Sequence, residues 1–404
     1  MIARPAATAA AAAATLSLLL VACAKPRITA DPIHFVAKTT ADGRTRIDIA
    51  TAKSTFEAAG EALSHKKHAR ALALYDRVVT QFAGSPYTLA ALYNGGLACE
   101  KLGKWRLAAR RYQRVLDRFF AQRDAVDAGF RLAAAQAELR DYAASARTLA
   151  KLVTHAKLHD DERIEAEARR GLALFRLGDH RKARRAFKQA LAVHTAMKER
   201  LDGDFYLAMA HYYLAATYHV SFRKLPLVAG DKMGPQLEAK SLMLFSAQRR
   251  YMRAIAIRNP HWASAAGFQL GALYQELYRA LMAALPRFTK LAKVHASREK
   301  LTVDQTRREL ARVYLEELHR RIKPLLHKSI RVFERNVSMA ERVGLHGDWV
   351  RKSRYQLRRL RDLLAATPEK AIQMLPPKGT MPEDEKPPLP KAPASQPQPK
   401  RAIM

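Results

Sequence analysis

One of the two cysteines in this 404-residue chain lies close to a regular row of arginines. Cys99 is followed by Arg106, Arg110, Arg114 and Arg118, which stand four residues apart. A thiol near cations is easily deprotonated, and the thiolate is the nucleophilic and metal-binding form of cysteine. The row alone could also bind an anionic group. The segment therefore raises two hypotheses, a reactive thiol beside a basic site or an ordinary helix, and the surrounding elements must decide between them.

A second candidate for chemistry is a pair of histidines. His155 and His159 lie four residues apart, and Asp160 and Asp161 follow them, so that a helix could present the set to a metal. Isolated histidines at this spacing are usually surface residues. The chain also lacks HExxH, GxSxG, a Walker A loop and a GxGxxG after a strand. We therefore predict no catalytic residue, no metal site and no cofactor, and we predict that the protein is not an enzyme.

The composition favours a helical protein with a packed core. The chain is 49% hydrophobic and 27% charged, has only 17 glycines, and is rich in Ala, Leu and Arg through its middle. Its net charge of +34 attracts nucleic acid, anionic lipid or acidic polymer. A solvated basic surface without a partner explains the same charge equally well.

The N-terminus indicates the compartment. Arg4 precedes an apolar run from Ala6 to Ala22, which is too short and too poor in large side chains for a transmembrane helix. The last three residues of the run, Leu20 to Ala22, and the following Cys23 form the sequence LVAC. This ending resembles the bacterial lipobox, which implies cleavage after Ala22, acylation of Cys23 and anchoring at the periplasmic face of the outer membrane; an ordinary signal peptide is the alternative. An exported protein is not expected to bind nucleic acid.

A repeat of 37 or 38 residues begins near residue 52. Small residues recur at one position, and a large residue follows each of them after 16 positions. Small residues allow two helices to cross closely, and large residues fill the groove between them. The small and large residues of the four units are Ala59 and Tyr75, Gly96 and Tyr112, Ala133 and Leu149, and Gly171 and Phe187.

The pattern resembles the tetratricopeptide repeat, whose usual period is 34 residues, and the segment from residue 71 to 105 resembles repeats of outer-membrane lipoproteins of the BamD and CpoB type. The resemblance implies an all-α fold, an α-solenoid of helix-turn-helix units with a C-terminal helical extension. In each unit a first helix, helix A, packs on a second, helix B. The residues expected to form this packing are Gly96, Ala108, Tyr112, Gly171, Ala183, Phe187, Ala247 and Tyr251.

Two surfaces of the array are candidates for binding. The resemblance implies a concave groove lined by helices A, apolar to mildly acidic, whose candidate residues are Tyr93, Leu97, Glu100, Phe130, Glu138 and Phe175. Cations recur on helices B and predict a positive outer row, made of Arg106, Arg110, Arg114, Arg118, Arg147, Lys151, Arg181 and Arg185. Cys99 becomes a buried spacer of a helix A under this interpretation.

The domain organisation follows from the repeat and from changes in composition. We expect a signal peptide (1–22), a tether without regular structure (23–50), repeats 1 to 4 (51–200), divergent repeats with a loop inserted at about 221–236 (201–300), a basic helical region (301–366) and a disordered tail (367–404) that holds ten of the 19 prolines. Residues 268–277 match a sixth helix A, but its helix B is not recognisable. Pro324 is expected to begin a new helix.

These features predict a lipid-anchored periplasmic scaffold that binds other envelope proteins through its groove, in an outer-membrane assembly, secretion or motility machine. Two alternatives stay open. One is a basic module that binds anionic lipid or polysaccharide, and the other is an accessory of the peptidoglycan or division machinery. An enzyme accessory is disfavoured by the missing motifs.

Overall fold

The computed structural model describes residues 34–39, 45–197, 204–284, 286, 288–299, 302–367, 370 and 374. Over these residues the chain forms fourteen helices and a two-stranded sheet. Cys23, the expected signal peptide and nearly all of the proline-rich segment lie outside the described residues, so those expectations stay predictions. No described helix is both long and apolar enough to span a membrane.

A β-hairpin precedes the helices. Strand β1 (His34–Thr39) pairs in antiparallel register with β2 (Thr45–Ala50), so that Phe35 lies opposite Ile49. Regular structure therefore begins inside the segment that we had predicted to be an irregular tether. The missed signal is an Asp-Gly dipeptide between two short runs that contain β-branched residues, a frequent hairpin pattern.

The helices follow one another along the chain, and each of the first ten packs on the next. Their bounds are α1 (Ala52–Ser64), α2 (His68–Gln81), α3 (Thr88–Lys101), α4 (Trp105–Phe119), α5 (Asp124–Glu138), α6 (Tyr142–Val153), α7 (Asp160–Arg176), α8 (His180–Ala196), α9 (Phe205–Lys224), α10 (Met233–Ala256), α11 (Pro260–Ala283), α12 (Thr289–Glu299), α13 (Val303–Arg342) and α14 (Asp348–Ala365). This succession of neighbouring helix pairs is an all-α solenoid, as predicted.

The turn between helix A and helix B has the same backbone geometry in the first four units. Lys66, Gly103, Arg140 and Gly178 occupy equivalent positions and all have φ between 59° and 80°. This left-handed conformation ends a helix at low cost only for glycine. The repeat is therefore encoded in the turns as well as in the helix contacts, and two units adopt the turn with a non-glycine residue.

The fifth unit differs from the prediction in the length of its insertion. Helix α9 continues to Lys224 and α10 begins at Met233, so the connecting loop spans only residues 225–232. Pro235 lies in the first turn of α10, where a missing N–H group costs no intrahelical hydrogen bond. Our longer loop was an overestimate, because the proline marks a helix start and not a loop.

The missing helix B of the sixth unit is α13. A Cβ atom placed on Gly271 of α11 would lie 2.6 Å from Cζ of Phe333 in α13, just as one on Gly96 would lie 2.5 Å from Cε1 of Tyr112. The two residues of the sixth pair are 62 positions apart, because α12 and its flanking segments intervene. Gly267 makes a second close approach to α13 at Asn336.

Pro324 does not begin a helix, in contrast to our prediction. It lies inside α13, which runs unbroken over 40 residues. Proline removes the hydrogen bond to the carbonyl four residues earlier. Pro324 and Arg320 are both exposed, so water can replace that bond, and Leu326 two positions later keeps the helix packed on the core.

Candidate protein-binding site

The eight predicted packing residues are all buried in the described structure. Tyr112 and Phe187 are among the largest side chains with almost no exposed surface. Each ring lies against the glycine of its own unit, at a distance that leaves no room for a methyl group. These residues build the scaffold and are not available to a partner.

Cys99 is a core residue. Its side chain is fully buried in the cluster that the first units form, and burial raises the pKa of its thiol. A buried, protonated thiol is neither a good nucleophile nor a metal ligand. The neighbouring arginine that points inward is Arg111, which forms an ion pair with Asp76 of α2. The first hypothesis of a reactive thiol is therefore wrong.

A polar network links α3, α4 and α5 on the helix-A side of the array. Arg131 donates from Nη1 to Glu100 Oε2 at 3.0 Å and from Nε to the Tyr93 hydroxyl at 2.9 Å. The Tyr112 hydroxyl of α4 donates to Glu100 Oε1 at 2.7 Å. Because burial raises the pKa of this hydroxyl, it stays protonated and remains a donor. The guanidinium also lies 5.7 Å from the centre of the Tyr93 ring. Arg131 is thus held in one orientation.

The next unit repeats the arrangement. Arg169 of α7 lies 5.3 Å from the centre of the Phe130 ring, donates from Nη2 to the Phe130 carbonyl at 3.0 Å and donates from Nη1 to Glu165 at 2.7 Å. Each arginine therefore covers an aromatic side chain of the preceding unit and is fixed by a glutamate. We name this surface the helix-A face; its residues are Tyr93, Leu97, Glu100, Phe130, Arg131, Glu138, Glu165, Arg169, Leu172 and Phe175.

The predicted groove residues occupy different environments on this face. Leu97 is partly exposed, Glu138 is exposed, and Phe130 is buried beneath Arg169. Phe175 is partly buried, because its ring packs 5.4 Å from that of Tyr213. Our description of the surface as apolar to mildly acidic missed the arginines. Arg131 and Arg169 are 38 residues apart, and the aromatic residues beneath them, Tyr93 and Phe130, are 37 residues apart, so both spacings follow the repeat.

The outer row has a different character. Its eight cations are all exposed, and none forms an ion pair with a carboxylate among the described residues. One member of the row, Lys151, makes a cation–π contact, in which its Nζ lies 4.8 Å from the centre of the Phe120 ring. Inward arginines such as Arg111 and Arg131 do have carboxylate partners. The row therefore presents uncompensated positive charge to solvent.

His155 and His159, the suspected metal pair, make different structural contacts. His155 is buried; its Nδ1 accepts from the Lys157 backbone N–H at 3.1 Å, so Nε2 carries the proton and donates to the Phe120 carbonyl at 2.6 Å. His159 instead precedes α7 as its N-cap residue. The described residues contain no group of three or more potential metal ligands.

An ionic cluster around buried Glu276 links α9, α10 and α11, and no spacing in the sequence indicates it. Glu276 accepts two hydrogen bonds from Arg223, at 2.9 and 2.6 Å, and one from His219 at 3.1 Å. Burial alone would raise the pKa of Glu276, but these partners hold it well below the usual range. Burial lowers the pKa of His219, whose neutral ring accepts at Nδ1 from the Tyr251 hydroxyl at 3.2 Å. The cluster joins the three helices through side-chain hydrogen bonds and is assigned a structural role.

Among solved structures, the chain is similar, at low identity, to MamA proteins and to a putative kinesin light chain. A crystal structure of MamA matches with 14% identity and a TM-score of 0.36, over 50% of this chain and 92% of that chain. "MamA 41-end from Desulfovibrio magneticus RS-1" matches with 16% identity and a TM-score of 0.33, over 49% and 96%. A Podosopora anserina putative kinesin light chain with nearly identical TPR-like repeats matches with 16% identity and a TM-score of 0.35, over 49% and 96%. No protein-family model and no curated protein matches.

Proposed function

We propose that this protein is a lipid-anchored scaffold that binds a segment of another protein on its helix-A face. The observation that carries the proposal is the fixed orientation of Arg131 and Arg169, each held by a glutamate and an aromatic ring. Partly exposed Leu97 lies on α3 with Tyr93 and Glu100, and partly exposed Leu172 lies on α7 with Arg169. Apolar positions beside oriented hydrogen-bonding groups suit peptide recognition, and side chains that are already ordered lose little entropy when a partner binds.

The proposed partners are proteins of the bacterial envelope. This part of the proposal is supported by the lipobox-like residues that end at Cys23, which predict anchoring at the periplasmic face of the outer membrane. Work in outer-membrane assembly, secretion or motility is the favoured setting, and the peptidoglycan or division machinery is the alternative. If the anchor is correct, Cys23→Ala abolishes labelling by palmitate and releases the chain from the membrane fraction. Membrane retention without labelling would contradict it.

Site-specific photocrosslinking in cells tests the helix-A face. A crosslinker at Leu97 or Leu172 should capture the same partner, whereas one at exposed Gln113 on helix B should not. Arg131→Met should weaken this capture, since it keeps an unbranched apolar side chain but removes the guanidinium that Tyr93 and Glu100 orient. Equal capture from Gln113, or full capture by the Arg131→Met variant, would refute the assignment.

A second candidate function is binding of an anionic lipid or polysaccharide by the outer row. It is favoured by eight exposed cations that form no ion pair among the described residues. Binding of this kind weakens steeply as salt is raised, because exposed charges are screened over about 8 Å at physiological ionic strength. Binding of lipopolysaccharide or anionic vesicles that disappears when Arg106, Arg110, Arg114 and Arg118 are changed to Gln would support it. Unchanged binding by that variant would exclude it.

A further inference from the structure

Helix α10 has a second apolar side that no described helix covers. Leu242, Phe245 and Met252 are 59%, 58% and 53% exposed. The opposite side of the helix is buried against the array through residues such as Leu244 and Tyr251. Single exposed apolar side chains are common on protein surfaces, whereas several on one helix face form a patch of the kind found at contact sites.

The exposed residues follow the spacing of a coiled coil. Residues 238, 242, 245, 249, 252 and 256 are all exposed, and the steps between them are four and three in strict alternation. Such a repeat of 3.5 residues keeps one seam facing a partner helix over the whole length of the pair. The residues of this seam, in order, are Glu238, Leu242, Phe245, Arg249, Met252 and Ala256.

We propose that this seam binds the same seam of a second copy of the chain, with the two α10 helices antiparallel. In that register Leu242 packs on Met252 of the second copy, and Phe245 lies beside Arg249 of the second copy. Both contacts occur twice by symmetry. The apolar pair buries two exposed side chains, and a guanidinium on a Phe ring is a favourable contact.

Charge complementarity selects the antiparallel arrangement. A parallel pair would place Arg249 against its own copy inside the seam, and Glu238 against its own copy at one end, and like charges in close contact repel. In the antiparallel pair Glu238 instead meets Ala256, one turn from Arg253 of the second copy. Ser246, a small side chain, lies next to the two-fold axis and allows close approach.

The size of the seam predicts a weak, concentration-dependent dimer. The three apolar side chains of one copy expose on the order of 300 Å² together, given the 150 to 250 Å² that large side chains bury when fully covered. A stable dimer usually buries about 800 Å² per partner. We therefore expect weak, reversible association, which high local density at a membrane would favour.

Sedimentation of the full chain tests whether α10 forms the contact. The wild type should shift from monomer to dimer as its concentration rises, and Leu242→Glu should weaken the association by about tenfold or more, because it places a carboxylate against Met252 of the second copy. Val313→Glu is the matched control: Val313 is 52% exposed on α13, and its substitution should leave association unchanged. A wild type that stays monomeric at every concentration, or a dimer that Leu242→Glu leaves intact, would overturn the proposal.

Cysteine crosslinking tests the orientation. In a Cys23→Ser background, with Cys99 buried, Ser246→Cys should form a disulfide dimer under mild oxidation, because the two-fold axis brings the two copies of this position together. Glu238→Cys should not, since its two copies lie about 27 Å apart along antiparallel helices with a rise of 1.5 Å per residue. Efficient crosslinking of Glu238→Cys would demonstrate a parallel pair and would refute the proposed register.

Discussion

The close approach of α11 to α13 gives the sharpest test of the fold. Gly271→Ala adds one methyl group at the crossing, where the new Cβ would lie 2.6, 2.7 and 2.9 Å from three atoms of the Phe333 ring. Favourable carbon contacts lie at about 3.5 to 4.0 Å. The ring would therefore have to retreat by roughly 1 Å, but the helices are tied together on either side, by Ser329 donating to the Gly271 carbonyl at 2.8 Å and by Asn336 donating to the Ser264 carbonyl at 3.0 Å.

The expected magnitude combines two opposing effects. Overpacking of a tight core costs about 1 to 3 kcal/mol. Replacing a mid-helix glycine by alanine favours the helix by up to about 1 kcal/mol. We therefore expect Gly271→Ala to lower the free energy of unfolding by about 1 to 2 kcal/mol. Gly60→Ala in α1 is the control, because its nearest new contact would be the Tyr75 hydroxyl at 3.9 Å, and it should stabilise the chain slightly.

Urea denaturation followed by circular dichroism measures both changes, and hydrogen exchange should localise the loss of protection to α11 and α13. The double variant Gly271→Ala, Phe333→Leu completes a double-mutant cycle. Because the smaller leucine makes room for the new methyl group, the double variant should lose about 1 kcal/mol less unfolding free energy than the sum of the two single variants. If Gly271→Ala is as stable as the wild type, or if the two effects are simply additive, the pairing of α11 with α13 at this crossing is wrong.

Three further predictions concern single sites. Acidification from pH 6.5 towards 4 should destabilise the chain, because burial lowers the pKa of His211 to about 3 while the unfolded imidazole takes up its proton near 6.5. Such a site loses about 1.4 kcal/mol per pH unit within that window, and His211→Gln should flatten the fall in melting temperature. Arg140→Gly should stabilise by about 1 kcal/mol, as φ is 59° there, whereas Gly103→Ala should destabilise by a similar amount in thermal melts. Glu276→Ala should cost about 1 to 3 kcal/mol of unfolding free energy, since it removes the carboxylate to which buried His219 and Arg223 donate, and an unchanged unfolding free energy would argue that the cluster does not stabilise the fold.

The units that were predictable from the sequence are those whose two helices are adjacent along the chain. Gly96 and Tyr112 lie 16 residues apart, and a glycine that must face a ring leaves a regular trace when the connection is short. Gly271 and Phe333 make the same contact, but the 62-residue separation hides the spacing. The physical contact is repeated, whereas the distance along the chain is not, and only the latter is visible without a structure.

The candidate site was less predictable than the fold for a related reason. The choice of Tyr93, Glu100 and Phe130 as groove residues follows from their position within a unit. The residues that orient them, Arg131 and Arg169, belong to the following unit. Contacts between units depend on how the units stack, and the repeat pattern does not specify that stacking. The ionic cluster around Glu276 was missed because its members lie on three helices and share no spacing.

The contrast between inward and outward arginines follows from the shortage of carboxylates. The chain has 71 lysines and arginines against 37 aspartates and glutamates. An unpaired cation at a poorly solvated position is far costlier than one in water, so carboxylates contribute most where solvent is limited, as beside Arg111 and Arg131, whose side chains are 12% and 27% exposed. The excess positive charge then remains on the surface for reasons of stability alone. The exposed cations of the outer row are therefore compatible both with an anionic ligand and with a solvated surface, and the salt dependence of binding separates this row from the helix-A face and the α10 seam.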